Sequence, residues 1–245
     1  MFMARRSTTR TTEINERLDP PETLKEHPFF GMKLDKDQEA FRDAIWSKDY
    51  DIVFCNSKSG SGKTTIAVAT ASLLCEYKRY SGVMYVCAGG VHEAKQGLLP
   101  GTLEEKSAPL FIPLYQAVSR LGYDPQRVIA SDYNLLSQKE GSAMIVAQTD
   151  SYIRGVSFGE IDAPVVVICD EMQNTTLSGL RTILTRINDG SKAIVIGQEK
   201  QTDLKYPQDS GFVRMLNHFS QKERCKVCTL TKNYRGWISA WADEI

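Results

Sequence analysis

The sequence predicts an α/β fold in which a three-layer, doubly wound parallel sheet carries helices on both faces. Short apolar runs predict the strands, and continuous apolar strands are typical of a sheet that is buried on both sides. Amphipathic stretches between these runs predict helices, and strict alternation of strand and helix favours parallel pairing. The predicted strands are 51–55, 83–87, 144–148, 165–169, 193–197 and 226–230. The predicted helices are 35–47, 63–77, 109–121, 175–188, 209–219 and 235–244.

The composition is typical of one globular domain with balanced charge. The chain has 245 residues, with 30 Lys and Arg against 30 Asp and Glu, so the formal net charge is zero. This balance gives no indication of a nucleic-acid or membrane partner. No apolar run reaches the roughly 20 residues of a membrane-spanning helix, and the stretch MFMARRSTTRTTE lacks the apolar core of a signal peptide. We therefore expect a cytoplasmic protein with no membrane partner.

Two domain-level expectations concern the first residues and the cysteines. Residues 1–33 are rich in Thr, Arg, Pro and Glu, which predicts a mobile N-terminal arm before a single domain over residues 34–245. Most of the six cysteines lie in apolar runs, where thiols behave as small buried hydrophobes. The pair in Cys225-Lys226-Val227-Cys228 has no second pair at metal-ligand spacing, so an ordinary strand is favoured there.

The stretch CNSKSGSGKTT, residues 55–65, follows the first predicted strand and opens a predicted helix. This context is typical of a phosphate-binding loop, whose pattern is G-x-x-x-x-G-K-[S/T]. Ser57 stands where the first glycine belongs, and its cost depends on whether the backbone needs a positive φ there. Lys63 is expected to reach the β- and γ-phosphates, and Thr64 to bind Mg²⁺. The candidate nucleotide-binding residues of this loop are Ser57, Lys58, Ser59, Gly60, Ser61, Gly62, Lys63, Thr64 and Thr65.

Two acids follow the apolar strand VVVIC, at the edge of the sheet where ligands of open α/β folds bind. Asp170 is expected to hold Mg²⁺ and Glu171 to polarise an attacking water. Gln201 lies after the strand AIVIG, where it could sense the γ-phosphate or lie in a solvated turn. The residues alone leave both interpretations of Gln201 open.

Four segments together resemble the PhoH family of phosphate-loop ATPases. They are LLPGTLEEKSAPLFIPLYQAV (98–118), SYIRG (151–155), VVVICDEMQNTT (165–176) and IVIGQEKQTDL (194–204). The resemblance covers about residues 34–240. It implies a RecA-like phosphate-loop NTPase core similar to half of a superfamily-one helicase. The chain is similar in length to compact members, including those found in phages.

The resemblance also implies roles for single residues. Gln38 matches the glutamine that reads the adenine edge, although Asp35 and Gln38 also have capping-box spacing. Gln201 matches the glutamine of a G-D-x-x-Q motif. In LTKNYRGW, Arg235 matches an arginine that approaches the γ-phosphate, either within the chain or across a subunit boundary. Arg154 matches a further family arginine, for which the resemblance implies contact with nucleic acid or with a neighbouring subunit. A surface salt bridge is the alternative for both arginines.

Three departures from the family pattern bear on function. Ser57 replaces the loop glycine, and Gln198 replaces an aspartate. The Cys87-Ala88-Gly89 region lacks the Thr-Arg-Pro that family members often carry after the second strand, and the resemblance implies a phosphate-backbone contact for that arginine. ATP binding is therefore better supported than RNA binding.

Three functional hypotheses follow. The first is a Mg²⁺-dependent ATPase coupled to single-stranded RNA, working as a homo-oligomer such as a hexameric ring. The second is a nucleotide-gated module that binds RNA or protein and hydrolyses little. The third, a small-molecule kinase, is disfavoured because residues 90–160 contain only Arg120, Arg127 and Arg154 and so lack an arginine-rich lid.

Overall fold

The computed structural model describes residues 19–89, 108–130, 144–153 and 155–242. Within them a seven-stranded sheet has the strand order β3-β4-β2-β5-β6-β1-β7, and every paired strand is parallel. The strands are β1 (Ile52–Asn56), β2 (Val83–Cys87), β3 (Ile129–Ala130), β4 (Ile145–Thr149), β5 (Val166–Asp170), β6 (Lys192–Gly197) and β7 (Cys225–Cys228). The predicted doubly wound parallel sheet is confirmed.

The helices cover both faces of this sheet and so produce the three predicted layers. One buried cluster joins α1, α2 and α3 to one face, and a second joins α5 and α6 to the other. The helices are α1 (Lys36–Trp46), α2 (Lys63–Glu76), α3 (Ile112–Arg120), α4 (Pro125–Val128), α5 (Leu177–Leu184), α6 (Phe212–Phe219) and α7 (Trp237–Ala242). None of the helices in these described ranges combines the length and the apolar character that crossing a bilayer requires.

Local sequence signals account for where the helices begin. Asp35 caps α1 in a complete capping box with Gln38. Gly62, in the left-handed region, precedes α2. The Thr176 hydroxyl accepts the Gly179 N–H and starts α5, which ends at Leu184 and is shorter than the predicted helix over 175–188. The short strand β3 was not predicted, because two residues carry no readable period.

The described part of the expected N-terminal arm packs against the domain, which differs from the expected mobile arm over residues 1–33. Leu24 and Phe29 are buried in the main core cluster. The Trp46 indole N–H donates to the Pro21 carbonyl at 3.0 Å. The apolar side chains at 24 and 29 therefore outweigh the breaking effect of the surrounding prolines, and the domain contacts begin before residue 34.

All six cysteines are free thiols. Cys225 and Cys228 begin and end β7, which confirms the predicted strand at this pair. Burial raises the pKa of the Cys55 thiol to about 12, so that thiol stays protonated near neutral pH.

Candidate active site

The phosphate loop connects the end of β1 to the start of α2. Gly60 and Gly62 have φ values of 76° and 85°, a region that favours glycine. A Cβ atom at Gly60 would lie 2.6 Å from Asn233 Oδ1, so this position also excludes a side chain by contact. The loop leads into the N-terminus of α2, where the helix dipole favours a bound anion.

Ser57 occupies the missing-glycine position without backbone strain. It is absent from the described non-glycine residues with positive φ, so the penalty considered for serine there does not arise. Its side chain is buried, and its Oγ accepts the Leu230 N–H at 2.6 Å. Its own N–H donates to the Gly197 carbonyl at 3.1 Å. Ser57 thus connects the end of β1 to β6 and to the segment after β7.

Thr64 and Asp170 form the contact that joins the phosphate loop to β5. The Thr64 hydroxyl donates to Asp170 Oδ2 at 2.8 Å, and the Tyr85 hydroxyl donates to the same oxygen at 2.7 Å. Asp170 Oδ1 accepts the Glu171 N–H at 2.9 Å. Burial, followed by the neighbouring Asp170, holds the pKa of Tyr85 well above its ordinary value, so the phenol remains a donor. Lys63 is buried nearby, and its ammonium donates to the Lys58 carbonyl at 3.3 Å.

Glu171 follows Asp170 with φ of 56°, an unusual conformation for a non-glycine residue. Burial and then the charge of Asp170 raise the pKa of its carboxyl group. The Gln173 amide donates to Glu171 Oε2 at 2.6 Å and accepts the Gln198 N–H at 3.1 Å. The position of the Glu171 carboxylate is therefore set both by its left-handed backbone and by the hydrogen bond from Gln173.

Gln38 takes part in the cap of α1 and also contacts the phosphate loop. Its backbone N–H and Oε1 complete the capping box with Asp35, and its Nε2 donates to the Ser61 carbonyl at 2.9 Å. The capping alternative is therefore correct, but it does not exclude a ligand role because the amide also reaches the phosphate loop.

The NYR segment lies against the same loop within the chain. The Tyr234 N–H donates to the Gly60 carbonyl at 2.9 Å, and the Arg235 guanidinium donates to Ser59 Oγ at 3.0 Å. The Tyr234 hydroxyl donates to Asp35 Oδ2 at 2.6 Å. These contacts connect the segment after β7 to both the loop and α1.

These elements surround one cavity of about 660 Å³. Most of the predicted site residues line it. They are Gln38, Ser59, Gly60, Gly62, Lys63, Thr64, Thr65, Glu171 and Arg235. Residues without a predicted role also line it, including Met32, Leu34, Gln116, Arg120 and Tyr234. Asp170 is buried and is bonded to the cavity-lining residue Thr64.

The site fits a hard divalent cation that phosphate oxygens would help to hold. Thr64 and Asp170 present a hydroxyl and a carboxylate in direct contact, and oxygen ligands of this kind suit Mg²⁺. The described ranges contain no group of three or more His, Cys, Asp or Glu side chains placed to bind a metal. A cation here would therefore depend on ligands from the nucleotide and from water, as Mg²⁺ commonly does.

A family profile described as PhoH-like protein matches residues 32–236. The chain belongs to the PhoH-like family. It is 32% identical over 184 residues to a PhoH-like protein of Mycobacterium leprae, covering 74% of this chain and 48% of the relative. It is 31% identical over 189 residues to protein PhoH of Escherichia coli K12, covering 77% and 50%. The chain thus spans about half the length of these curated relatives.

Among solved structures, the PhoH-like chain is similar to the large terminase of bacteriophage HK97. The TM-score is 0.50 at 15% identity, covering 84% of this chain and 41% of the terminase. At this identity the likeness supports the fold alone. Together with the family match, it confirms the predicted fold, a RecA-like phosphate-loop NTPase core.

Five predicted residues of the PhoH-like site do not line the cavity, and a sixth predicted residue lies outside the described ranges. The five are Ser57, Lys58, Ser61, Asp170 and Gln201. Gln201 is exposed, is not among the residues that line the cavity, and its N–H donates to the Gln198 carbonyl at 3.2 Å. Its role at the γ-phosphate stays a prediction. Arg154 lies outside the described residues.

Two buried residues of this PhoH-like site carried no predicted role. Gln173 lies within the quoted motif DEMQNTT, so its position was visible in the sequence, but its two partners were not. Tyr85 lies within the apolar strand β2, where an aromatic residue is typical of ordinary core. Its partner Asp170 is 85 positions away in sequence, and only the pairing of β2 with β5 brings the two together.

Proposed function

We propose that this PhoH-like chain binds ATP with Mg²⁺ and hydrolyses the terminal phosphate. The observation that carries the proposal is the Thr64–Asp170 contact at 2.8 Å, with Lys63 and Glu171 lining the same cavity. A phosphate loop alone binds anions. Hydrolysis also needs a metal position and a group that polarises water. The Thr64 hydroxyl with the Asp170 carboxylate supplies the first, and the Glu171 carboxylate supplies the second.

Each residue then has a defined task. Lys63 neutralises the β- and γ-phosphate oxygens, and Thr64 with Asp170 holds the cation. When bound there, Mg²⁺ would supply positive charge beside the phosphates. Glu171 orients the attacking water and accepts its proton. Arg235 stabilises the charge that develops on the γ-phosphate.

The contacts of Arg235 favour an arginine finger that acts on the nucleotide of its own chain. Its guanidinium is already bonded to Ser59 of the phosphate loop, and it lines the cavity. In this arrangement a neighbouring subunit is not needed to deliver the arginine. Mixing the Arg235→Ala variant with the Lys63→Ala variant tests this assignment, because a finger acting across subunits would restore turnover in the mixture and a finger within the chain would not.

ATP turnover by the intact chain tests the main proposal. We expect Glu171→Gln, which keeps the shape of the side chain, to lower turnover by about 100-fold or more while ADP binding persists. We expect Lys63→Ala to weaken nucleotide binding as well. Equal rates in the wild type and both variants would refute the proposal, since a contaminating ATPase would then account for the activity.

Partner binding is the second part of the proposal, and the exposed aromatic residues of α7 support it. Trp237, Ile238 and Trp241 are 68%, 69% and 68% exposed, and they lie shortly after Arg235 in sequence. Tryptophan faces of this kind stack on unpaired bases or form protein contacts. We propose single-stranded RNA as the partner and a homo-oligomer, with a hexameric ring as its form, in the cytoplasm, where free thiols are the rule.

Tryptophan fluorescence distinguishes an RNA-coupled ATPase from a nucleotide-gated binding module. Trp46 is buried and serves as an internal reference for Trp237 and Trp241. Oligouridine should quench the two exposed residues, with an affinity that falls as salt rises, and should raise ATP turnover. Quenching without any turnover would favour the binding module. Solution mass with and without ATP tests the oligomer, and a monomer in both conditions would exclude the ring.

A further inference from the structure

Gln173 has a buried side chain whose amide is bonded at both ends. Nε2 donates to Glu171 Oε2 at 2.6 Å, and Oε1 accepts the backbone N–H of Gln198 at 3.1 Å. The side chain is buried and is not among the residues that line the cavity. Its contacts are therefore with the protein around the nucleotide site and not with the nucleotide itself.

The partners of Gln173 determine the orientation of its amide. An ionised carboxylate only accepts hydrogen bonds, and a backbone N–H only donates them. With the amide nitrogen towards Glu171 and its oxygen towards Gln198, both contacts are satisfied. A rotation of the amide by half a turn would place oxygen against carboxylate and nitrogen against N–H, so both contacts would become repulsive.

The backbone around Gln173 is held as well. The Thr202 hydroxyl donates to the Gln173 carbonyl at 3.0 Å, and the Asp203 N–H donates to Asn174 Oδ1 at 2.8 Å. The short turn over 172–174 is thus bonded to the segment that follows β6 at three points, one of which is the side chain of Gln173. The turn that carries Glu171 is therefore anchored to the segment after β6, the strand next to β5.

We propose that Gln173 is a positioning residue for the water-polarising carboxylate. It holds Oε2 of Glu171 and so leaves Oε1 to receive the proton of the attacking water. Because Gln198 contributes its backbone N–H, this contact does not depend on the glutamine that replaces the family aspartate at 198. The inference rests on the proposed ATPase function, in which Glu171 is the general base.

The variant Gln173→Met tests the inference because methionine has a similar length and fills the buried space without either hydrogen bond. We expect ATP turnover to fall about 10- to 100-fold, the range seen when a residue that orients a catalytic group is removed. The KM for ATP and the affinity for ADP should change less than about twofold. The affinity for ADP with aluminium fluoride, which mimics the reacting phosphate, should fall in parallel with turnover.

A double variant shows whether Gln173 acts through Glu171. If it does, Glu171→Gln combined with Gln173→Met should be no slower than Glu171→Gln alone, because the oriented group is already lost. Gln208→Met, at an exposed glutamine away from the cavity, is the matched control and should behave as the wild type.

The outcomes separate the two proposals. A wild type that turns over ATP in a Lys63- and Glu171-dependent manner while Gln173→Met matches it overturns the role of Gln173 alone. Parallel loss of ADP affinity, thermal stability and turnover in Gln173→Met also overturns it, because that pattern indicates a structural residue. Absence of turnover in the wild type overturns both proposals. If the effects of Glu171→Gln and Gln173→Met add in the double variant, Gln173 does not act through Glu171.

Discussion

Restoring the glycine of the phosphate-loop motif should destabilise this protein. In Ser57→Gly the loop would match the usual pattern, and motif matching alone would expect a neutral or favourable change. The structure predicts the opposite. Ser57 Oγ accepts the Leu230 N–H at 2.6 Å, and both residues are buried, so the substitution removes the acceptor from a donor that water reaches poorly.

The size of the effect follows from two contributions. A buried donor left without its partner costs about 1–3 kcal/mol. Glycine adds about 0.5–1 kcal/mol through the greater freedom of the unfolded chain, and it relieves no strain because Ser57 does not have a positive φ. We therefore expect Ser57→Ala to lower the free energy of unfolding by about 1–3 kcal/mol, and Ser57→Gly by about 1.5–4 kcal/mol. For a chain of this size each kcal/mol corresponds to about 2–4 °C in Tm.

Denaturant unfolding measures this directly, provided that the slope with denaturant is the same for all variants. Ser59→Gly is the matched control in the same loop, because the Ser59 hydroxyl bonds an exposed arginine and should contribute less than about 1 kcal/mol. The reasoning would be refuted if Ser57→Gly were as stable as the wild type, or if Ser57→Ala were unaffected while Ser57→Gly was destabilised.

Two further predictions concern buried polar groups. The Lys192 ammonium donates to the carbonyls of Ser47 and Tyr50, and burial lowers its pKa from 10.5 to about 8. Between these two pKa values the unfolded chain binds more protons than the folded one, so the stability of the wild type relative to Lys192→Met should rise with pH. In denaturant unfolding we expect a rise of about 2 kcal/mol from about pH 7.5 to about pH 9.5. A stability difference between the two proteins that does not change with pH would contradict this. Tyr85→Phe removes a donor to buried Asp170, so it should cost about 1–3 kcal/mol and weaken Mg²⁺-dependent nucleotide binding about tenfold or more in calorimetric titration; unchanged Mg²⁺ dependence would exclude this role.

The strands were the most predictable part of the fold, and the reason is their burial on both faces. The run DIVFC predicted β1 and VMYVC predicted β2, because a short, continuous apolar stretch bounded by polar residues is typical of a strand that is covered on both sides. Helix ends were less predictable. The helix expected from residue 235 begins at Trp237, because Gly236 has φ of 105° and cannot continue a helix.

In the candidate site, the residues within short motifs could be predicted from the sequence, and their long-range partners could not. Lys63, Thr64 and Asp170 were predicted because their chemistry is encoded in short motifs. Ser57 is bonded to Leu230, and Gln173 is bonded to Gln198 as well as to nearby Glu171. Leu230 and Gln198 lie far from these partners in sequence, and only the order of strands brings them together. A motif therefore indicates which residues bind the ligand, while the residues that support them depend on the topology.

We propose that Gln38, which caps α1, also recognises the adenine base. Its Oε1 accepts the Asp35 N–H and its Nε2 donates to the Ser61 carbonyl, which uses one lone pair and one hydrogen of the amide. One acceptor and one donor remain, and the cavity-facing amide can offer them as a pair. Adenine presents the complementary pair, an N6–H donor beside the N7 acceptor, whereas guanine presents two acceptors on that edge.

Gln38→Glu separates these two functions of the residue. Glutamate keeps the acceptor of the capping box, so the cap of α1 should persist. It has no donor for Ser61 or for N7, and a lost two-point contact with adenine is worth about 1–3 kcal/mol. We therefore expect ADP affinity to fall about 10- to 100-fold while GDP affinity changes less, so that the preference for adenine shrinks. If Gln38→Glu kept the full preference for ADP over GDP in a binding titration, adenine would have to be recognised elsewhere in the cavity.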